Sequence, residues 1–209
     1  MSPQESKKEK REAARQARIE AQQARLRAKK RKRNMGIAFA VLIALAAGAF
    51  GFKQWQEGSG ALKRAMNAAG CTEIKEVKEL EASPHLEAGA PDPTYNSNPP
   101  SSGKHLGNTA PWGAQDETID KKLLVHNLEH GGVIIHYTED IDAEDQIQEL
   151  VDSFPDGVIS QPNEDLDKPL GIAAWGRVQT CEKYDETVVK AFIKERCNKG
   201  PEKLGLRCG

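Results

Sequence analysis

The sequence predicts an α+β domain with a mainly antiparallel sheet and helices on one face, set behind a single N-terminal transmembrane helix. Three observations carry that prediction. Met35 to Phe52 runs for 18 residues without a charge. Beyond it, short β-branched runs alternate with stretches whose apolar residues recur at helical spacing. All four cysteines, Cys71, Cys181, Cys197 and Cys208, follow the uncharged stretch, as suits a domain in an oxidising compartment.

The first 34 residues carry 13 of the chain's 30 Lys/Arg and only four of its 31 Asp/Glu, a net +9. The rest therefore carries 17 bases and 27 acids, a net −10. This asymmetry marks a basic tail and a separate acidic domain. As a helix, 18 residues reach roughly 27 Å, close to the ~30 Å hydrocarbon core of a bilayer. Lys29 to Arg33 abut the span on one side, and Lys53 and Trp55 follow on the other. The positive-inside rule then places residues 1–34 in the cytoplasm and the C-terminal domain outside it, at the cell membrane. Ala44-Leu45-Ala46 could mimic a signal-peptidase site. A 34-residue basic n-region is long for a cleaved signal peptide, which favours an uncleaved signal-anchor.

The predicted organisation is thus a basic cytoplasmic tail (1–34), a transmembrane helix (35–52), a juxtamembrane linker or helix (53–70) and an extracytoplasmic domain (71–209). The tail, rich in Ala, Gln, Glu and Arg, should be helical when bound. Its expected contact is anionic lipid headgroups, at ~1 kcal/mol per basic residue near the surface. No aromatic interleaves its charges, so no nucleic-acid partner is expected. A protein partner is not specified.

Ala61 to Gly70 reads as a short helix stopped by Gly70. Ile74 to Leu80 is a strand or a frayed helix. Pro84 to Pro111, rich in Pro, Gly, Ser and Asn, must be mostly irregular, and so long a loop is usually functional. Asp120 to His130 places apolar residues at 123, 124, 125 and 128, a helical face stopped by Gly131-Gly132. Val133 to Tyr137 is a strand, Asp142 to Phe154 an amphipathic helix, Gly157 to Ser160 a short strand and Leu170 to Val178 a longer one. Thr187 to Cys197 is a last amphipathic helix. Four cysteines allow three pairings. The favoured pair of bridges is Cys197–Cys208, closing a short C-terminal loop, and Cys71–Cys181, pinning the start of the domain to its far end.

The histidines carry the chemistry. Three of five lie in the eleven residues from His126 to His136, and His105 closes the nearby run Pro99-Pro100-Ser101-Ser102-Gly103-Lys104-His105. On a helix, His126 and His130 form an i,i+4 pair with Cβ atoms ~5–6 Å apart, and Glu129 shares their face. His136 on the following strand could turn back toward them, and His105 could complete the set from the loop. Three or four imidazoles suit zinc or copper(II). Only Met66 lies on the extracytoplasmic side of the span, which disfavours a soft thioether copper site. The candidate metal ligands are therefore His105, His126, His130 and His136, with Glu129 as a fourth ligand or an outer partner. A metal-free His–Glu network that only orders the long loop, in a structural or interaction module of the cell envelope, is the competing reading.

His126-Asn127-Leu128-Glu129-His130 also reads H-x-x-E-H, which resembles the inverted zinc-peptidase signature. That resemblance implies His126 and His130 as ligands, Glu129 as general base, metal-assisted hydrolysis, and a third ligand such as Glu195 or Glu202. The helix stops at once at Gly131-Gly132, and the domain is small for that architecture.

A second resemblance covers more of the chain. Tyr95, the Pro99–His105 run, Trp112-Gly113, Leu124 to Val133 and Ala174-Trp175-Gly176 together resemble a family of bacterial membrane-anchored proteins, domain-of-unknown-function family 3105, over roughly residues 71–205. It implies an extracytoplasmic domain behind one membrane helix, with the two His motifs meeting in space. His85 fits the family's early histidine, and with Tyr95 joins Glu129 as a candidate outer partner of the site. Trp112 and Trp175, each followed by Gly, are core or pocket-wall aromatics.

Overall fold

The computed structural model describes residues 3–208. The chain divides into two units, residues 1–58 and 59–209. Helix α1 covers Pro3–Ala68. The predicted membrane span, residues 35–52, falls within it, and several of its side chains lie outside the described residues. Among the described residues no helix is long and apolar enough to cross a membrane.

The second unit is α+β. After α1 come β1 (Lys75–Glu76), β2 (Gly113–Ala114), α2 (Lys121–Glu129), β3 (Val133–Tyr137), α3 (Glu144–Asp152), β4 (Val158–Pro162), β5 (Leu170–Ala174), β6 (Arg177–Cys181) and α4 (Glu186–Arg196). The strands form one six-stranded sheet in the order β1-β6-β5-β3-β4-β2. The pairs β1/β6, β6/β5 and β5/β3 are antiparallel, whereas β3/β4 and β4/β2 are parallel. The expected mainly antiparallel sheet is thus a mixed one. The cause is α3: a helix between β3 and β4 supplies the crossover that parallel neighbours require.

Two further expectations are corrected. Residues 170–178 are not one strand, because Trp175-Gly176 turns the chain and folds β5 back on β6. The helices also cover both sheet faces. Val133, Ile135, Val158, Leu170 and Ile172 pack with Ile147 and Val151 of α3 and with Val189, Phe192 and Ile193 of α4. Ile134, Ile159 and Ala173 pack instead with Leu124, Val125 and Leu128 of α2. Every residue of β3 and β5 is buried, so these strands, His136 apart, read as apolar runs rather than alternating ones. Leu62, Ala65 and Met66 at the end of α1 complete the first cluster.

Both favoured disulfides are present, Cys71–Cys181 and Cys197–Cys208. Helix α2, which presents the site, has clear ends. Asp120 caps it by accepting from the Lys122 amide at 2.8 Å. At its far end Gly131 N donates to Leu128 O and Gly132 N to Asn127 O, each at 2.9 Å. This pair of bonds is a Schellman motif, and Gly131 at φ +89° supplies the left-handed residue it needs. Gly132 has a separate reason to be Gly. Its Cα faces the Trp112 ring so closely that a Cβ would lie 2.6 Å from Cη2.

Candidate metal centre

The irregular segment from Pro84 to Pro111 is pinned rather than loose. Ser102 Oγ accepts from Leu80 N at 3.0 Å, and Ser101 O accepts from Gly176 N at 2.9 Å. Tyr95 does not join the site directly. Its hydroxyl donates to Lys104 O at 2.9 Å and holds the backbone just before His105. Asn127 of α2 clamps the loop with its whole amide, accepting from Ala110 N at 2.8 Å and donating to Ala110 O at 3.0 Å. A single bridge, Leu86 to Leu106, sets the two arms of the loop side by side. His85 and His105 precede those residues by one position each.

The outcome is a cluster of His85, His105, His126 and Glu129, whose ligand-capable atoms all lie within 4.8 Å of one another. His105 is fully buried, His126 and Glu129 are buried, and His85 is exposed. Glu129 Oε2 lies 3.0 Å from His105 Nε2 and 3.6 Å from His85 Nε2. The three rings stand 4.8–5.0 Å apart, centroid to centroid. Trp175 closes one side, edge-on to His105 at 6.3 Å.

Backbone carbonyls fix the tautomers. His105 Nδ1 lies 2.7 Å from Gly103 O, and His126 Nδ1 lies 2.7 Å from Leu106 O. A carbonyl only accepts, so each Nδ1 carries the proton and each Nε2 presents a lone pair. At His105 that lone pair faces a carboxylate oxygen at 3.0 Å. Two acceptors at this distance need a shared proton or a cation between them. A tetrahedral shell with bonds of about 2.0–2.1 Å places neighbouring donor atoms about 3.3 Å apart, a value that 3.0 and 3.6 Å bracket. Burial lowers the pKa of His126 from its ordinary value, the Leu106 carbonyl opposes that shift, and His130, His105 and His85 add to it. His126 is therefore held neutral, the form that ligates a metal.

The other predicted site residues lie elsewhere. His130, at the C-cap of α2, has Nε2 3.0 Å from His126 Nε2 and 3.1 Å from Glu202 Oε2. It adjoins the cluster without entering it. His136 is not drawn back toward α2's histidines. Its Nδ1 faces the side-chain amides of Gln161 and Asn163, and burial pushes its pKa down to about 3. The H-x-x-E-H reading requires Glu129 to face a bound water, yet Glu129 faces two imidazoles. Of its suggested third ligands, Glu202 instead pairs with His130 and Glu195 with Arg196. The two carbonyls that set the tautomers leave no mark in a sequence, except that Gly103 stands two residues before His105.

The fold and the cluster together define an α+β domain with a partly buried His3Glu site. Its family is given by comparison with known proteins. The family model "Protein of unknown function (DUF3105)" matches residues 90–208, more than half of the chain, and the chain belongs to that family. His105, His126 and Glu129 fall inside the matched segment and His85 just before it. No curated protein and no solved structure matches the chain.

Proposed function

We propose that this protein is a membrane-anchored, extracytoplasmic metal-binding protein. Its second unit would hold one zinc or copper(II) ion on His85, His105, His126 and Glu129. The observation that carries the reading is the pair of 2.7 Å contacts from Nδ1 of His105 and His126 to backbone carbonyls. A carbonyl on the outer nitrogen is the usual device that orients a metal-binding imidazole and raises its basicity. Three imidazoles and one carboxylate suit either metal.

Sequence supports the location: the uncharged span 35–52, the +9 tail before it and the disulfides after it. The tail then faces the cytoplasm and anionic lipid. A reporter active only outside the cytoplasm, fused to the C-terminus, checks this orientation. No reporter activity would sink it.

The metal reading is tested by elemental mass spectrometry on the full chain, purified in detergent without an affinity His-tag. About one ion per chain is expected, with near-complete loss in a His105→Ala/His126→Ala double variant that keeps both disulfides. No metal after loading with zinc or copper and dialysis would overturn it. The 3.0 Å contact of His105 with Glu129 favours one second reading, a proton-shared pair that fastens the long loop to α2. In that case the double variant loses stability and has no metal to lose.

A further inference from the structure

His136 belongs to a different site. It is 3 % exposed and lines a cleft of about 540 Å³ together with Gln161, Asn163, Asp165 and Tyr95. The hydrogen-bond chain around it has one solution. Ile119 N donates to Gln161 Oε1 at 2.6 Å, which identifies the other amide atom of Gln161 as the NH2. Asp165 N donates to Asn163 Oδ1 at 3.1 Å, which fixes the second amide in the same way. Both NH2 groups face His136 Nδ1, at 3.1 and 3.4 Å. That nitrogen therefore accepts, and the ring proton sits on Nε2. No group among the described residues accepts from Nε2–H. This donor opens onto the cleft rather than into packed protein, and the cleft is of ligand size.

The charges on the cleft narrow the ligand. Asp92 is spoken for by Lys121 at 2.8 Å and Lys122 at 2.9 Å. Asp165 is exposed, and its carboxylate has no ion-pair partner among the described residues. A ligand that fills the cleft must accept at His136 and donate at Asp165. An anion would be repelled by Asp165. A cation would leave the His136 donor unanswered. A hydroxylated neutral molecule meets both needs, because each hydroxyl donates and accepts. Tyr95, Pro93 and Pro100 add apolar walls against which a sugar ring can lie.

We propose that this cleft is a saccharide-binding site, in which the buried His136 Nε2–H donates to a ligand hydroxyl or acetamido oxygen and Asp165 accepts from another hydroxyl. The proposal does not depend on the metal reading, and its test is run with a chelator present. The full chain in detergent micelles is titrated with maltotriose and with N,N′-diacetylchitobiose, following the His136 ring nitrogens by NMR and the heat by calorimetry. The expected starting state is the Nε2–H tautomer. At least one saccharide should then move the Nε2–H signal, with a Kd of about 1 mM or tighter. His136→Phe should abolish binding. Because a buried change can disturb the sheet, the exposed Asp165→Leu is the second variant, expected to weaken binding about tenfold with the fold intact. A silent His136 with both saccharides at about 10 mM, or a response to sodium acetate or putrescine in their place, would overturn the proposal.

Discussion

His105 and His126 have Nδ1 against a backbone carbonyl, at 2.7 Å each. His136 has Nδ1 against two side-chain amides, at 3.1 and 3.4 Å. All three rings are buried, yet their tautomers are opposite. In the cluster Nε2 is a lone pair beside a carboxylate, an arrangement for a cation. In the cleft Nε2 is a donor with a free carboxylate nearby, an arrangement for a neutral polar molecule. The residue type is the same. What differs is whether the group behind the ring can only accept or has been forced to donate, and that choice is made by the fold.

The largest expected effect separates the two sites directly. Glu129→Gln keeps the shape of the cluster and removes its one anionic donor. Metal affinity should fall about 100-fold or more, since a charged ligand and its contacts with His105 and His85 are lost together. The His136 ring signals should not move. A competition assay with a metal-binding dye reads the first effect and NMR the second. Loss of the His136 tautomer in this variant would mean that the two sites are not independent.

Acid gives the next contrast. The folded pKa of His136 is about 3, below the ordinary 6.5, because burial disfavours the imidazolium. Between those values the unfolded chain binds a proton that the folded chain does not. The contribution of this group is therefore complete above pH 6.5 and declines as pH falls toward 3, by about 1.4 kcal/mol per unit. From pH 6.5 to 4.5 the metal-free chain should lose about 2–3 kcal/mol of stability through His136. Urea unfolding across this range measures the slope. A His136→Gln variant with an equally steep slope would assign the loss to other groups.

Gly200 tests the cluster from behind. It lies in the loop closed by Cys197–Cys208 and against the end of α2. A methyl there would meet Glu129 O, with Gly131 N at 2.5 Å and Leu128 O at 2.7 Å. These are backbone atoms, which cannot swing aside. Asn198 N and Glu202 N also bond to Gly131 O and Glu129 O, at 2.8 and 3.0 Å. Gly200→Ala should displace the turn that carries Glu129, lowering stability by about 1–3 kcal/mol. Metal affinity should drop about 10-fold while the cleft keeps its ligand response. Unchanged metal affinity would show that the C-terminal loop does not brace the site.

Much of this was readable from the chain, and the limits have physical reasons. The helix over 120–130 was legible because Asp120, the apolar stripe and Gly131-Gly132 all act locally. Four cysteines allowed three pairings, and the favoured one, Cys71–Cys181 with Cys197–Cys208, is the one the fold makes. The return of residues 170–178 as a hairpin was hidden because its two-residue turn places Trp175 before Gly176, without the Asn, Asp or second Gly that usually marks such a turn. The mixed sheet was hidden because strand order is decided by packing between distant segments. The same reason explains the site. His105, His126 and Glu129 stood out by residue type, and the fold adds His85 at full contact distance. His136, from the same dense run of histidines, shares with Ile134 the sheet face under α2, but it lies further along the strand, where Gln161 and Asn163 occupy its Nδ1.

The smallest expected change in stability is also the sharpest test of the comparison. Gln161→Glu replaces the 3.1 Å donor at His136 Nδ1 with a carboxylate of the same length. If the group behind the ring sets the tautomer, the proton should move to Nδ1, where a carboxylate accepts it, and the imidazolium should become easier to form. The pKa of His136 should rise from about 3 because an anion now stands beside the ring. Burying the new carboxylate costs energy, and its bond to the ring offsets most of that, so the net change should be about 1 kcal/mol. The ring would then resemble His105, with a lone pair on Nε2, and the cleft should lose its saccharide response. Nitrogen shifts of the His136 ring read the outcome. A proton that stays on Nε2 would mean that Asn163, at 3.4 Å, suffices to hold the tautomer, and that the cleft is more rigidly committed to a neutral ligand than Gln161 alone requires.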